Sequence, residues 1–369
     1  MIPVNRPIIT SEDCKYIFKT AKSGWVSSAG PEINIFEKNF KKFIGKKFAS
    51  TVSSGTAALE ISLKCLNLKK NDEVIIPNFT IISNLLAVIK VGAKPVAVDC
   101  DIKTWNMDIN LIDKAITKKT KAIIATHIYG YPIEIDKIKK ICKKKKIYLI
   151  EDAAEMVGHK YKNKRCGYFG DISIFSFYAN KHITTGEGGM LLTNNKQFYK
   201  KMQSYKNLCF GRLNRYNHDD IGWNYRFTNL QASLGISQLN RIDSIIKKKM
   251  EIGKLYFNYL KNNKNIYIQS PTYKGLKNIY WVVGILILNK KITADKVRKK
   301  LYKYGIDTRA FFWPMSKQAI LRKCKIKISG SFHNSEILSN YGFYLPSGLG
   351  TTKKEIRFIS NKLNNLLLR

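Results

Sequence analysis

The chain lacks any apolar run approaching the roughly 18 residues needed to cross a bilayer. Its opening residues, MIPVNRPIIT, do not pass from a basic segment into an apolar one. No membrane partner and no secretory leader are therefore expected, and the protein reads as cytoplasmic. Cysteines are present but never at paired spacing: Cys14, Cys65, Cys100, Cys142, Cys166, Cys209 and Cys324 are scattered, with no CxxC. This argues against a disulfide framework and a zinc site, so reduced, mostly buried thiols and no metal are expected. Acidic residues are scarce, 26 against 65 Lys and Arg, for a formal net charge of +39.

Such an excess of positive charge raises nucleic acid as a partner. No RRM, KH or zinc-finger pattern accompanies it, however, and the lysines are spread along the whole chain. The one dense run, KKICKKKK at residues 139–146, reads as the solvated face of a helix. A general attraction for anionic small molecules is expected, and no nucleic acid.

What is present is enough apolar material for a large core. Of 369 residues, 44% are hydrophobic and 12% aromatic, which places the chain among folded globular proteins of one large domain plus a smaller one. Short apolar runs at residues 73–76, 95–98, 122–125, 147–150, 172–177 and 190–193 read as strands, with helical patterns between several of them, as at residues 57–66 and 81–91. That alternation predicts an α/β fold with a mainly parallel sheet flanked by helices. A long helical pattern spans residues 228–260. A strand at residues 280–288 and a helix near 294–304 then predict a smaller C-terminal α+β domain. The expected division is 1–245 and 246–369.

In parallel sheets ligands bind beyond the carboxyl ends of the strands, so the residues there are the first candidates for a site. SSGTAAL (residues 53–59) sets Gly55 and Thr56 at a helix start, where free backbone N–H groups and the helix dipole suit a phosphate; an ordinary helix cap fits equally well. Asp152 ends the apolar run IYLIE-D, where a buried carboxylate is costly unless a positive group meets it; its alternative is again a helix cap. Ser176 and Lys181 follow the run ISIFSF, and Lys181 precedes the glycine-rich TTGEGG. A lone lysine is usually solvated, but an amine in this setting would suit imine formation if burial lowers its pKa. A phosphate cradle, a carboxylate for a pyridinium nitrogen and a lysine amine are together what pyridoxal 5′-phosphate (PLP) requires.

The motifs SSGTAAL, DEVIIPNFT, THIYGYP, IEDAAE, GDISIFSFYANKHITTGEGG and GWNYRFTNLQASLGISQL resemble the DegT/DnrJ/EryC1/StrS family of nucleotide-sugar aminotransferases, over nearly the whole chain. The resemblance implies the fold-type I architecture of PLP enzymes. It implies that Lys181 is the Schiff-base lysine and acid/base, that Asp152 meets the ring nitrogen and that Glu155 lies beside the ring. It further implies that Gly55, Thr56 and Ser176 hold the phosphate and that Asn224 reaches the site of the other subunit of a homodimer. WVSSAGPEINIFEKNF, DIKTWNMD and DTRAFFWPM are most similar to the perosamine-forming members, which aminate C4 of GDP-4-keto-6-deoxymannose, with glutamate as the expected donor; Arg309 and Phe312 are then substrate contacts. Core packing is the competing reading of residues 311–313. The choice among GDP, UDP and dTDP, and between C3 and C4, stays open in the sequence.

Two positions depart from the family pattern. Val157 stands where relatives carry a histidine, and Ile81 where an aromatic often covers the ring, leaving that face to Phe79 or to an aliphatic group. The nearest rival activity is a PLP- or PMP-dependent sugar 3-dehydratase, which carries histidine in place of the lysine. His182 is adjacent, but the spacing after SFY favours Lys181 as the matching residue. A non-catalytic or nucleic-acid-binding relative fits poorly with retention of Thr56, Asp152, Ser176 and Lys181 together.

Overall fold

The computed structural model describes residues 1–211 and 213–367. Its centre is a seven-stranded sheet in the order Phe48–Val52, Gly189–Thr193, Ile172–Ser176, Tyr148–Asp152, Thr120–Thr126, Glu73–Pro77, Lys94–Val98. The last five of these run parallel to one another, whereas Gly189–Thr193 is antiparallel to both of its neighbours. The inner strands are buried on both faces, which is why they read as continuous apolar runs. Successive residues alternate between two cores: Ile75, Ile123, Leu149 and Phe175 face one, while Ile76, Ile124, Ile150 and Ile174 face the other. Helices such as Gly55–Cys65 and Ile135–Lys145 cover the faces. The expected fold class holds.

The strand Phe48–Val52 gives only a broken apolar signal in the sequence, because Ser50 and Thr51 stand at its centre. Its Ser50 and Thr51 are fully buried, and Thr51 is satisfied by Glu37, whose Oε1 accepts from the Thr51 N–H at 2.7 Å and its hydroxyl at 2.8 Å. The expected long helix over 228–260 is in fact two, Asn229–Asn240 and Ile242–Leu260, broken at Arg241 (φ −113°, ψ 19°). Arg241 at the break is tied into the tertiary structure, its guanidinium donating to the Ile8 carbonyl at 2.9 Å and to Asp13 Oδ2 at 2.6 Å.

Helix Ile242–Leu260 passes between cores. Ile242 and Ile245 belong to the large one, whereas Ile252, Tyr256 and Leu260 pack against the second sheet. That sheet is antiparallel, in the order Ile266–Ile268, Val283–Ile287, Gly342–Leu345, Arg309–Ala310. The N-terminal residues run along it, with Ile2 bridging to Ile306 and the Ser347 N–H donating to the Val4 carbonyl. Among the described residues no helix is long and apolar enough to cross a membrane.

Candidate active site

The carboxyl ends of strands Thr120–Thr126, Tyr148–Asp152 and Ile172–Ser176 open onto one cleft of about 380 Å³. Thr126, Asp152 and Ser176 line it from those strand ends, and Gly55, Thr56 and Ser83 line it from helices that start beside them. Lys181 and Glu155 come from the loops that follow, and Trp281, Phe312 and Tyr344 come from the second, antiparallel sheet and the residues next to its strands, the small unit of the chain.

At one end the helix Gly55–Cys65 begins. The Ser54 hydroxyl caps it by accepting from the Ala57 N–H at 3.0 Å, which leaves the N–H groups of Gly55 and Thr56 without intrahelical acceptors. The Thr56 and Ser83 hydroxyls lie 2.8 Å apart. Gly55 is required here by close approach: a Cβ would fall 2.9 Å from Ser176 Cβ. The result is a small concavity of amides and hydroxyls at the positive end of a helix dipole, which fits a phosphate group.

Asp152 lies deeper and is 1% exposed. Its Oδ2 accepts from Asn84 Nδ2 at 3.2 Å and Thr126 Oγ1 at 3.3 Å, and its Oδ1 accepts from the Ala154 N–H at 3.1 Å. Among the described residues no cation is in ion-pair distance of it. Burial pushes its carboxyl up, while the bonds from Ala154 and Asn84 and the charge of Lys181 oppose this. A buried carboxylate without a cationic partner fits a protonated ring nitrogen.

Lys181 sits on a turn, its N–H donating to the Tyr178 carbonyl at 2.9 Å. Its Nζ is 4.0 Å from Glu155 Oε1 and 3.7 Å from the centroid of the Trp281 ring. Burial lowers the amine, and the charges of Glu155 and Asp152 raise it. Burial likewise raises Glu155, against the Lys181 charge and the Tyr129 N–H, which donates to its Oε2 at 2.7 Å. The neighbouring His182 is buried in the interior with neither ring nitrogen hydrogen-bonded, and it does not line the cleft. The amine of the cleft is Lys181.

The remaining expectations divide. Phe312 lines the cleft, its N–H donating to the Tyr129 hydroxyl at 3.2 Å, whereas Phe311 is buried against Trp105 and Tyr129 and Trp313 is exposed. Arg309 lies in an adjoining pocket of about 460 Å³, which shares Tyr178, Asn180, Trp281 and Tyr344 with the cleft. Asn224 is exposed and does not line the cleft of its own chain. Ile81 lines the cleft, while Phe79 is wholly buried among Tyr129, Phe311 and Phe312. Val157 is a core residue. The sequence reading missed Ser83, Thr126, Trp281 and Tyr344. Thr126 ends a strand and was open to the strand-end rule, but nothing local marks Trp281 or Tyr344.

The sequence profile of the DegT/DnrJ/EryC1/StrS aminotransferase family matches residues 7–364. The chain belongs to this family. Enzymes of the family work with PLP and its pyridoxamine form, as the donor set of the cleft leads one to expect. The GDP-perosamine synthase of Escherichia coli O157:H7 is 37% identical over 364 residues, covering 98% of each chain. The GDP-perosamine synthase of Vibrio cholerae is 35% identical over 367 residues, covering 99% of each. A crystal structure of a mutant GDP-4-keto-6-deoxymannose-3-dehydratase (ColD) with bound GDP-perosamine matches with a TM-score of 0.91 at 23% identity, covering 98% of this chain and 100% of that one. At that identity the match speaks for the shared fold.

Proposed function

We propose that this aminotransferase moves the amino group of glutamate to the C4 keto carbon of GDP-4-keto-6-deoxymannose, giving GDP-perosamine. It would act in the cytoplasm, in keeping with its unpaired cysteines, as a homodimer with shared active sites. The observation that carries the reaction class is the meeting of Lys181, Asp152 and the Gly55–Thr56–Ser176 concavity in one cleft. The choice of sugar and nucleotide rests on the two synthases similar over their whole length.

Bound PLP supplies an electron sink for the carbon that loses or gains a proton. In the proposed arrangement Gly55, Thr56 and Ser176 bind its phosphate, and Asp152 keeps its ring nitrogen protonated. Glu155 and Ile81, which line the same cleft, would flank the ring, Ile81 as an aliphatic wall. Lys181 would hold the cofactor covalently, and its amine, when free, would take and return a proton at the reacting carbon, a general acid/base role. The depression of its pKa by burial favours a free amine able to take that proton. A sugar 3-dehydratase would need histidine in place of this lysine, and His182 is turned into the interior. Arg309 and Phe312 are assigned to the nucleotide sugar. Asn224 is assigned to the phosphate in the partner subunit, in keeping with its exposure. Residues 1–245 would form the cofactor domain and 246–369 the smaller one, meeting within helix Ile242–Leu260.

The test is to incubate purified protein with glutamate and a panel of GDP-, UDP- and dTDP-linked 4-ketosugars and identify the product by mass. Preference for a UDP or dTDP substrate by more than about tenfold in kcat/KM, roughly 1.4 kcal/mol, overturns the perosamine assignment. Absence of any aminated sugar overturns the reaction class.

A further inference from the structure

The segment at residues 278–282 enters the cleft from the small unit through a left-handed turn. Tyr280 has φ +51°, and its N–H donates to Asn278 Oδ1 at 2.7 Å. Its ring fills the space left by Gly253, where a Cβ would fall 2.2 Å from ring atoms. A bulky residue in this backbone region is strained, and the surrounding contacts hold it there. What they deliver is the next residue, Trp281.

Trp281 is fixed at three points. Its indole Nε1 donates to the Asn180 carbonyl at 2.9 Å, so it ties the residue immediately before Lys181. Its own carbonyl accepts from Lys249 Nζ at 2.9 Å. Its ring centroid lies 3.7 Å from Lys181 Nζ. Lys249 is buried, and its amine also donates to the Ser347 carbonyl at 2.5 Å. Burying an amine on two carbonyls is costly, and here it anchors the cleft wall behind the indole.

We propose that Trp281 is a positioning residue for Lys181, its ring face receiving the lysine ammonium and its Nε1 fixing the loop, whenever Lys181 is not bonded to cofactor. This rests on the assignment of Lys181 given above. The electrostatics are coherent. Burial disfavours the ammonium, Glu155 and Asp152 favour it, and the negative face of the indole adds to their side without offering a competing site for the proton. Glu187, Tyr178 and Tyr344 also line the cleft, and His182 lies behind the lysine with its own ionisation suppressed by burial. A proton carrier has to be accessible in both states, and the ring offsets part of the burial that would otherwise hold the amine neutral.

Competitive labelling of the full-length, cofactor-free chain with a trace amine reagent, quantified on the Lys181 peptide across pH, reads the lysine's own titration. Trp281→Leu is expected to lower the midpoint by about one pH unit. Trp281→Phe keeps a ring face and is expected to lower it less. Growth on fluorinated tryptophan weakens the negative face with little change of shape and is expected to lower the midpoint too, so the test survives a Leu variant that does not fold. A midpoint unchanged in the fluorinated protein overturns the proposal. No turnover is measured, so that result would leave the aminotransferase reading to the substrate panel.

Discussion

Glu155 and Lys181 face each other across 4.0 Å, and the second carboxylate oxygen of Glu155 is held by the Tyr129 N–H at 2.7 Å. Burial raises the acid and lowers the amine, so the two groups are drawn towards a neutral pair while their charges resist it. A lysine in this state needs little free energy to exchange its proton, as the role proposed for Lys181 requires.

Lys181→Ala is expected to reduce turnover below detection, because under the proposed roles it removes both the covalent attachment and the proton carrier. Borohydride reduction of the loaded wild-type enzyme is expected to attach the cofactor to the Lys181 peptide, read by peptide mass. A label on any other lysine would move the centre of the site.

Asp152→Asn preserves volume but removes the charge that, in the proposed arrangement, would hold a proton on the ring nitrogen. A rate loss of about 100-fold is expected, about 3 kcal/mol of transition-state stabilisation. Single-turnover kinetics with glutamate measure it, and an unchanged rate counts against the role.

Arg309 lies in the pocket beside the cleft, and its planar guanidinium can grip a phosphate through two parallel hydrogen bonds. Arg309→Lys is therefore expected to raise KM for the nucleotide sugar by on the order of tenfold. The glutamate half-reaction, which involves no diphosphate, is expected to stay within experimental error. Equal damage to both half-reactions would place Arg309 elsewhere in the mechanism.

Asn224 is exposed in the single chain. If it completes the partner's site, Asn224→Ala and Lys181→Ala chains are each inactive alone but regain one intact site per mixed dimer. The activity of mixed, refolded chains decides this, with heterodimer formation checked by differential tagging.

His159 is buried, its Nε2 pairs with the Lys277 carbonyl at 2.8 Å, and burial pulls its pKa down to about 4. The unfolded chain therefore binds more protons than the folded one between that value and about 6.5, so stability falls as pH drops through this window. The loss amounts to about 3 kcal/mol by the acid end. His159→Gln is expected to flatten that part of the pH–stability curve in urea unfolding; an equally steep curve would assign the acid sensitivity to other groups.

Much of this site is legible in the chain because its chemistry follows apolar runs. Asp152 and Ser176 end buried strands and Lys181 lies on the loop that follows the second, where a polar residue breaks a local pattern. The central strands are legible for the same reason, since burial on both faces demands unbroken apolar sequence. Phe48–Val52 is hidden because its buried Thr51 depends on Glu37, a partner on another element. The break at Arg241 is hidden because helical periodicity continues through it, and the partners that hold Arg241 there, Ile8 and Asp13, lie more than 200 residues away. Trp281 and Tyr344 lie on the small unit in runs that read as ordinary strand and core. Packing of that unit against the strand ends brings them to Lys181, an arrangement set by contacts between distant residues rather than by local periodicity.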